Sequence, residues 1–96
     1  MTPRPDQREH VEELLDKLIQ LYQGREGFIG AYRLSPDAHT GSRRLGRVSI
    51  WRSEADVNRT ASDDTDLALQ SQLKLFVEND PSHEEYAFEA FDGTPR

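Results

Sequence analysis

The N-terminal quarter of the chain has the apolar spacing of an amphipathic helix. Between residues 6 and 23, apolar side chains recur every three or four positions, at Val11, Leu14, Leu15, Leu18, Ile19 and Tyr22. This period places them on one helical face and leaves the Glu and Lys side chains to water. We expect Asp6 to be the N-cap, because its carboxylate can accept a hydrogen bond from the Glu9 amide. Gly24 is the expected end of the helix, since glycine adopts a left-handed backbone without steric cost.

Two β-strands are predicted at residues 27–34 and 45–52. The first has one face with Phe28, Gly30, Tyr32 and Leu34 and another with Ile29, Ala31 and Arg33. The second has Val48 and Ile50 on one face and Arg47, Ser49 and Trp51 on the other. Because both faces carry apolar side chains, we expect a sheet that is covered on both sides. Residues 35–44 contain the Pro, Asp, Gly and Ser that are typical of an exposed hairpin loop.

A broken helix is predicted after the second strand. Ser53 is the expected N-cap of a helix that runs to residue 79 and has acidic residues in its first turn. Short polar side chains at residues 62–66 compete for backbone hydrogen bonds, so we expect a break there. The second piece is expected to start at Asp64 or Thr65. Its apolar stripe consists of Leu69, Leu73, Phe76 and Val77.

A final strand is predicted at residues 85–91, where apolar and polar side chains alternate. The order is therefore helix, strand, strand, helix, strand, which is an α+β arrangement with an antiparallel sheet. A length of 96 residues indicates one domain that spans residues 1–96. A chain of this size, with 34% hydrophobic residues, buries only about 60–65% of its unfolded surface, which favours an oligomer.

The composition excludes several classes of function. The chain has no cysteine, which rules out disulfides, thiolate zinc sites and cysteine nucleophiles. Its net charge of -6 argues against nucleic acid or an anionic membrane surface as the main partner. No apolar stretch approaches the roughly 18 residues of a membrane span, and the first residues lack the apolar stretch of a signal peptide. We therefore expect a cytoplasmic protein.

Basic residues are concentrated in the middle of the chain. Residues 27–52 contain five arginines and a single acidic residue, whereas both flanking segments carry a net negative charge. This distribution favours charge pairing within the protein or across a dimer. Binding of an anionic ligand or partner by the arginines is the alternative.

No motif of catalytic or metal-binding chemistry is complete. The run of Asp63, Asp64 and Asp66 does not fit a calcium loop, because alanine and lysine stand where the loop needs a glycine and a glutamate. We interpret these carboxylates as helix caps, and we expect no metal site. Trp51 is the only tryptophan, and it is either a core anchor or one wall of an aromatic pocket.

Two segments resemble one known family. Similarity to the antibiotic biosynthesis monooxygenase-like family is carried by residues 27–34 (GFIGAYRL) and residues 46–55 (GRVSIWRSEA). In that family a glycine-led strand is followed by a strand that ends in Trp and by a helix that starts with Ser-Glu-Ala. Residues 83–86 (HEEY) are similar to the start of the family's last strand. The resemblance covers roughly residues 8–91.

The resemblance implies a ferredoxin-like α+β fold whose sheet pairs with that of a second copy to form a dimeric α+β barrel. The family's usual first strand is missing here, because residues 1–5 are too short and too rich in proline to form it. Family enzymes are mostly small oxygenases that use neither metal nor flavin. The resemblance therefore implies a homodimer without a cofactor.

A pocket between sheet and helices is also implied by the resemblance. Its candidate members are Trp51 at the strand end, Asn58 on the following helix, and Tyr32 and Arg47 on the strands. The first hypothesis is a cofactor-independent monooxygenase that acts on a small aromatic substrate, which needs oriented hydrogen-bond donors in a dry pocket. The sequence shows no clear general base for this reaction. The alternative is a non-catalytic dimeric α+β barrel that binds a small hydrophobic ligand or has a stress-related role.

Overall fold

Three helices and a two-stranded antiparallel sheet make up the part of the chain that the computed structural model describes, residues 1–78. The elements are α1 (Arg8–Tyr22), β1 (Phe28–Leu34), β2 (Gly46–Trp51), α2 (Glu54–Ala61) and α3 (Asp64–Phe76). A short 3-10 turn, Ala38–Thr40, lies in the loop between the strands. The predicted α+β class is confirmed. The predicted strand at residues 85–91 lies outside the described residues.

The predicted N-cap of α1 is wrong by one residue. Helix α1 begins at Arg8 with Gln7 as its N-cap, and no side chain caps it. Asp6 has a left-handed backbone with φ of 64°, and the Gln7 amide donates to the Arg4 carbonyl at 3.0 Å. Residues 4–7 therefore form a turn with Pro5 at its second position, which is where the fixed φ of proline fits best. Asp6 is the third residue of this turn and precedes the N-cap Gln7, so the Asp6 carboxylate does not cap the helix.

The core is built mainly on one face of α1. Buried apolar residues within the described part of the chain are Val11, Leu14, Leu15, Leu18, Tyr22, Leu45 and Leu73. Helix α3 packs along α1, and the two strands lie beside them with one face toward the helices. The apolar stripe of α1 predicted from the sequence is confirmed, except that Ile19 is only half-buried.

A β-bulge changes which side chains share a face of the sheet. Phe28 pairs with Trp51 and Gly30 pairs with Ile50, so Ile29 is an extra residue in β1. An extra residue shifts the alternation of the strand by one. Phe28 therefore lies on the helix side with Ala31, and not with Tyr32 as the simple alternation predicted. Within residues 1–78 the helices cover one face of the sheet, and large apolar side chains of both strands are exposed on the other face. Cover of that face by a second copy stays a prediction.

The broken second helix is confirmed. The hydroxyl of Ser53, the N-cap of α2, accepts a hydrogen bond from the Asp56 amide at 3.2 Å. The chain leaves α2 after Ala61, and α3 starts at Asp64, one of the two predicted positions. In the predicted apolar stripe, Leu73 is buried, and Leu69, Phe76 and Val77 are half-buried against the core.

The first four residues make β-type hydrogen bonds on both sides without forming a strand. Met1 exchanges two backbone hydrogen bonds with Leu45, at 2.6 and 2.8 Å. On the other side, Pro3 forms an isolated bridge with Val77. Prolines at positions 3 and 5 have no amide to donate, which keeps this segment from extending into a strand. None of the helices in residues 1–78 is long and apolar enough to cross a membrane.

Replacing Gly27 by Ala should destabilise the fold strongly. Gly27 has φ of +82°, and an added Cβ would lie 2.6 Å from the Cβ of Asp56 in α2. The left-handed backbone costs an alanine about 1–2 kcal/mol, and the overlap with α2 should raise the total loss to about 3–5 kcal/mol. Urea unfolding of the variant measures this loss.

Gly24→Ala is the matched control for Gly27→Ala. Gly24 also has a left-handed backbone, with φ of +88°, but an added Cβ would meet no atom within 4 Å. This variant should therefore lose only the backbone cost of about 1–2 kcal/mol. Equal losses for the two variants would contradict the close packing of Gly27 against α2.

Candidate functional site

Three aromatic rings meet on the helix side of the sheet. The ring centroid of Trp51 lies 5.2 Å from that of Phe28 and 5.4 Å from that of Tyr22, each at 70° between ring planes. Tyr22 and Phe28 are 6.2 Å apart. Edge-to-face contacts of this kind favour fixed ring positions. We call Tyr22, Phe28 and Trp51 the aromatic cluster.

The chain brings the aromatic cluster together from three element ends. Tyr22 is the last residue of α1, Phe28 is the first residue of β1, and Trp51 is the last residue of β2. The bulge at Ile29 makes Phe28 and Trp51 cross-strand partners. Tyr22 belongs to the apolar stripe of α1, which places its ring against both of them.

Arg47 brings a positive charge to the aromatic cluster. Its side chain donates a hydrogen bond to the Tyr22 hydroxyl, and its guanidinium carbon lies 5.4 Å from the centroid of the Tyr22 ring. The Trp51 indole N–H donates to the Ser49 hydroxyl at 2.9 Å. The polar groups of all three β2 side chains on this face are therefore already engaged within the protein.

Asp66 is a buried carboxyl group beside this arrangement, and the sequence did not single it out. It lies in the first turn of α3 and is 4% exposed, and its Oδ1 atom has no hydrogen-bond partner among residues 1–78. Burial raises the pKa of Asp66, and the guanidinium of Arg47 opposes that shift. Burial also raises the pKa of the Tyr22 hydroxyl. A buried, partly unsatisfied acid is a frequent feature of functional sites.

A sequence signal for Asp66 does exist. Asp66 precedes Leu69 and Leu73 by three and seven residues, so it continues the apolar stripe of α3. Sequence reasoning interpreted it as a capping carboxylate together with Asp63 and Asp64. Its place on the buried stripe was the feature that distinguished it from those neighbours.

Two of the four predicted pocket residues lie together, and two lie elsewhere. Trp51 and Arg47 are both on the helix side, around Tyr22. Tyr32 lies on the opposite face of the sheet and is 62% exposed. Asn58 is exposed on α2, and its backbone carbonyl accepts a hydrogen bond from the Ser62 amide at 3.1 Å. The four side chains therefore do not converge on one pocket.

Two open clefts in the described part of the chain lie away from these four residues. One, of about 300 Å³, is lined by residues 24–26, 59, 60 and 63. The other, of about 140 Å³, is lined by residues 3–6, 8 and 43. Within residues 1–78, no group of three His, Asp or Glu side chains is placed to hold a metal ion.

Comparisons with known proteins give no identification. No family model, no curated protein and no solved structure matches the chain. The resemblance to the antibiotic biosynthesis monooxygenase-like family therefore stays a prediction from the sequence.

Replacing Asp66 by Asn isolates the effect of its charge on stability. An acid with a raised pKa holds its proton more tightly in the folded chain than in the unfolded chain. Below the pKa that Asp66 has in the unfolded chain, its charge does not lower the free energy of unfolding. Above the pKa that it has in the folded chain, the charge lowers the free energy of unfolding by the full amount. The stability of Asp66→Asn relative to the wild type should therefore increase as the pH rises from about 3 to about 7. Urea unfolding at a series of pH values measures this difference.

Glu12→Gln is the matched control, and its pH dependence should have the opposite sign. Hydrogen bonds from Arg8 and Arg33 lower the pKa of Glu12. The stabilisation from this carboxylate is present above its unfolded pKa and is lost as the pH falls. Glu12→Gln should therefore lose stability relative to the wild type as the pH rises. A stability difference for Asp66→Asn that does not vary with pH would contradict the raised pKa.

Proposed function

We propose that this protein is a homodimeric α+β binding protein for a small hydrophobic ligand, with the sheet faces of two copies packed together. The observation that carries this proposal is the apolar sheet face on the side away from the helices. That face presents Ile29, Tyr32, Leu34, Val48 and Ile50, each between 41% and 65% exposed. We call these five residues the open face.

The open face is large enough to form part of a protein–protein interface. The five side chains together expose on the order of 500 Å², as large as the largest apolar patch of a typical monomer. A stable protein–protein interface buries roughly 800 Å² on each partner. The open face therefore supplies more than half of the area that a dimer of ordinary size needs.

The distribution of charge makes a second copy the natural partner of the open face. The charged residues of the two strands, Arg33 and Arg47, lie on the helix side. There Arg33 forms ion pairs with Glu12 and Asp16. An uncharged apolar face is complementary to itself. Two copies related by a two-fold axis could therefore pack their open faces together without burying an unpaired charge.

The aromatic cluster supports the proposed class of ligand. Trp51 and Phe28 are only half-buried, so their rings offer apolar surface at the edge of the core. Most ligand sites are lined by apolar and aromatic side chains with few polar groups. The Trp51 N–H, the Ser49 hydroxyl and the Tyr22 hydroxyl already have partners, which favours binding through apolar contact.

A monooxygenase is the second candidate, and Asp66 is the observation that favours it. Its buried carboxyl group with a raised pKa would supply the proton acceptor that the sequence did not reveal. The guanidinium of Arg47 would stabilise negative charge that develops on an aromatic substrate after proton removal. Dissolved oxygen would be the oxidant in this reaction.

Replacing Val48 by Lys on the open face should break the dimer. The two-fold axis would bring both introduced charges into the apolar interface, so the dissociation constant should rise at least tenfold. Wild-type protein at micromolar concentration should sediment at about 22 kDa, twice the 11.0 kDa chain mass. Val48→Lys should sediment as a monomer.

Leu67→Lys is the control for Val48→Lys. Leu67 is 51% exposed on α3, outside the open face. Its replacement should leave the dimer intact. A wild-type monomer at tens of micromolar, or equal dissociation of both variants, would count against the proposed interface.

The ligand proposal can be tested through the fluorescence of Trp51, the only tryptophan. A small uncharged aromatic such as naphthol should change the Trp51 emission and saturate, because its site adjoins the half-buried indole. Calorimetry should show weaker binding to Trp51→Phe, whereas Tyr32→Phe should bind as the wild type does. Trp51→Phe should lose only about 1–2 kcal/mol of stability, since the packing ring is kept.

Oxygen uptake separates the two candidate functions. A binding protein should leave dissolved oxygen unchanged when a hydroxylated polycyclic aromatic is added. An oxygenase should consume oxygen, and Asp66→Asn should abolish the uptake without abolishing binding. Saturable binding without oxygen uptake would support the first candidate, and uptake that depends on Asp66 would support the second. If no aromatic compound changes the Trp51 emission, Trp51 is not part of a ligand site in either candidate function.

A further inference from the structure

An acid and a base in the interior are left without an ion pair. The carboxyl group of Asp66 is buried, and its Oδ1 atom has no hydrogen-bond partner among residues 1–78. Within these residues, ion pairs engage Arg8, Arg25, Arg33, Arg43 and Arg59. Arg47 is in none of them, and its guanidinium donates to the hydroxyl of the buried Tyr22. The described residues therefore leave Asp66 and Arg47 unpaired around the same phenol.

The ionisable groups near Asp66 come from several elements. They are Tyr22 at the end of α1, Arg25 in the turn that follows, Arg47 on β2 and Asp63 at the N-cap of α3. Within α3 itself, the side chain of Gln70 donates a hydrogen bond to the Asp66 carboxyl group. Arg25 is paired with Asp63 at 3.0 Å, so these two charges offset each other at Asp66. Arg47 is therefore the cation that is available to the buried acid.

Tyr22 and Asp66 are competing acceptors for the Arg47 guanidinium. A phenol hydroxyl is a neutral acceptor, whereas an ionised carboxylate makes a charge-assisted hydrogen bond that is roughly twice as strong. A buried charge without a partner also destabilises a protein. While Asp66 carries its proton, neither effect acts, and the guanidinium stays on Tyr22, as in the structure. Once Asp66 loses its proton, both effects favour movement of Arg47 to the carboxylate.

The surroundings of Asp66 decide the pH at which this exchange takes place. Burial raises the pKa of Asp66 above the ordinary value of 3.8, and Arg47 opposes that rise. Asp66 is therefore neutral at low pH, and it loses its proton closer to neutral pH than an exposed aspartic acid does. Tyr22 keeps its proton throughout this range, because burial raises the pKa of its hydroxyl above the ordinary value of 10.0.

We propose that Asp66 is a proton-controlled switch for the position of Arg47. Loss of the Asp66 proton moves the guanidinium from the Tyr22 hydroxyl to the Oδ1 atom of Asp66. The Tyr22 hydroxyl can then bond another molecule, on a ring whose centroid lies 5.4 Å from that of Trp51. The aromatic cluster thus offers only apolar contact at low pH and gains a hydrogen-bonding group at higher pH. The switch operates within one chain, and it needs neither the open face nor a bound ligand.

Carbon-13 NMR of the full chain tests whether Tyr22 and Asp66 compete for Arg47. The side-chain carboxyl signal of Asp66, identified by its loss in Asp66→Asn, is followed from about pH 3 to about pH 8. Tyr22→Phe keeps the ring and removes the competing acceptor, so it should lower the pKa of Asp66 by about 0.5 or more. Arg47→Gln should raise that pKa. An unchanged or raised pKa of Asp66 in Tyr22→Phe would overturn the proposal.

The Tyr22 hydroxyl gives a second, independent measurement. The phenol Cζ signal of Tyr22 responds to its hydrogen bond, and in the wild type it should shift with the same midpoint as the Asp66 carboxyl signal. The shift should be absent in Asp66→Asn and in Arg47→Gln. If the wild type shows no shift, or if Arg47→Gln shows one of equal size, the guanidinium is not the group that moves and the proposal is wrong.

Two controls connect the shift to this cluster of side chains. The Cζ signal of Tyr32, on the opposite face of the sheet, should stay constant over the same pH range. Glu12→Gln removes a carboxylate of α1 that is paired with Arg8 and Arg33, and it should leave both titrations as in the wild type. A Tyr32 signal that moves with the same midpoint would indicate a general change of the chain and would overturn the proposal. None of these results depends on dimerisation or on a ligand, so they are distinct from the tests of the proposed function.

Discussion

The single apolar face of α1 is the constraint on which the rest of the structure depends. Five of the seven buried apolar residues in the described part of the chain belong to this helix. One helix with one apolar face can cover only one side of a sheet. Helix α3 packs beside α1 on that same side. The opposite side of the two strands is therefore left with apolar side chains and no cover from residues 1–78.

The same constraint explains where the polar groups of the interior lie. The stripe of α1 ends in Tyr22, whose ring is buried and whose hydroxyl needs a partner. Arg47 of β2 provides it. The buried Asp66 of α3 lies close enough to contribute to the raised pKa of Tyr22, and Arg47 opposes the raised pKa of Asp66. Tyr22 and Asp66 continue the apolar stripes of their helices and are buried, whereas Arg47 shares its strand face with Ser49 and Trp51. A buried polar group lowers stability unless it has a hydrogen-bond partner. Among residues 1–78, the Oδ1 atom of Asp66 is the buried side-chain atom without one.

Features set by local spacing could be predicted from the sequence, and features set by pairing could not. The stripe of α1, the Ser53 cap and the break before Asp64 each follow from residues within a few positions of one another. The prediction that Asp6 caps α1 was wrong because Asp6 is the third residue of the turn that starts at Arg4. The sheet face predicted for Phe28 was wrong because it depends on a β-bulge, and a bulge depends on the register between two strands. Tyr32 pairs with Val48, and Val48 and Trp51 lie on opposite faces of β2, so the register of the strands places Tyr32 and Trp51 on different sides of the sheet and divides the predicted pocket.

The division of the predicted pocket bears directly on function. A reaction with oxygen needs its donors and its base around one substrate position. Here the Trp51 N–H is bound to Ser49, and Tyr32 lies across the sheet. What the two faces of the sheet do offer is contact area: aromatic edges on the helix side and a broad apolar surface on the other. The open face favours association over bond-making, because it offers apolar area and carries no charged side chain, whereas the charged groups Arg47 and Asp66 lie on the helix side.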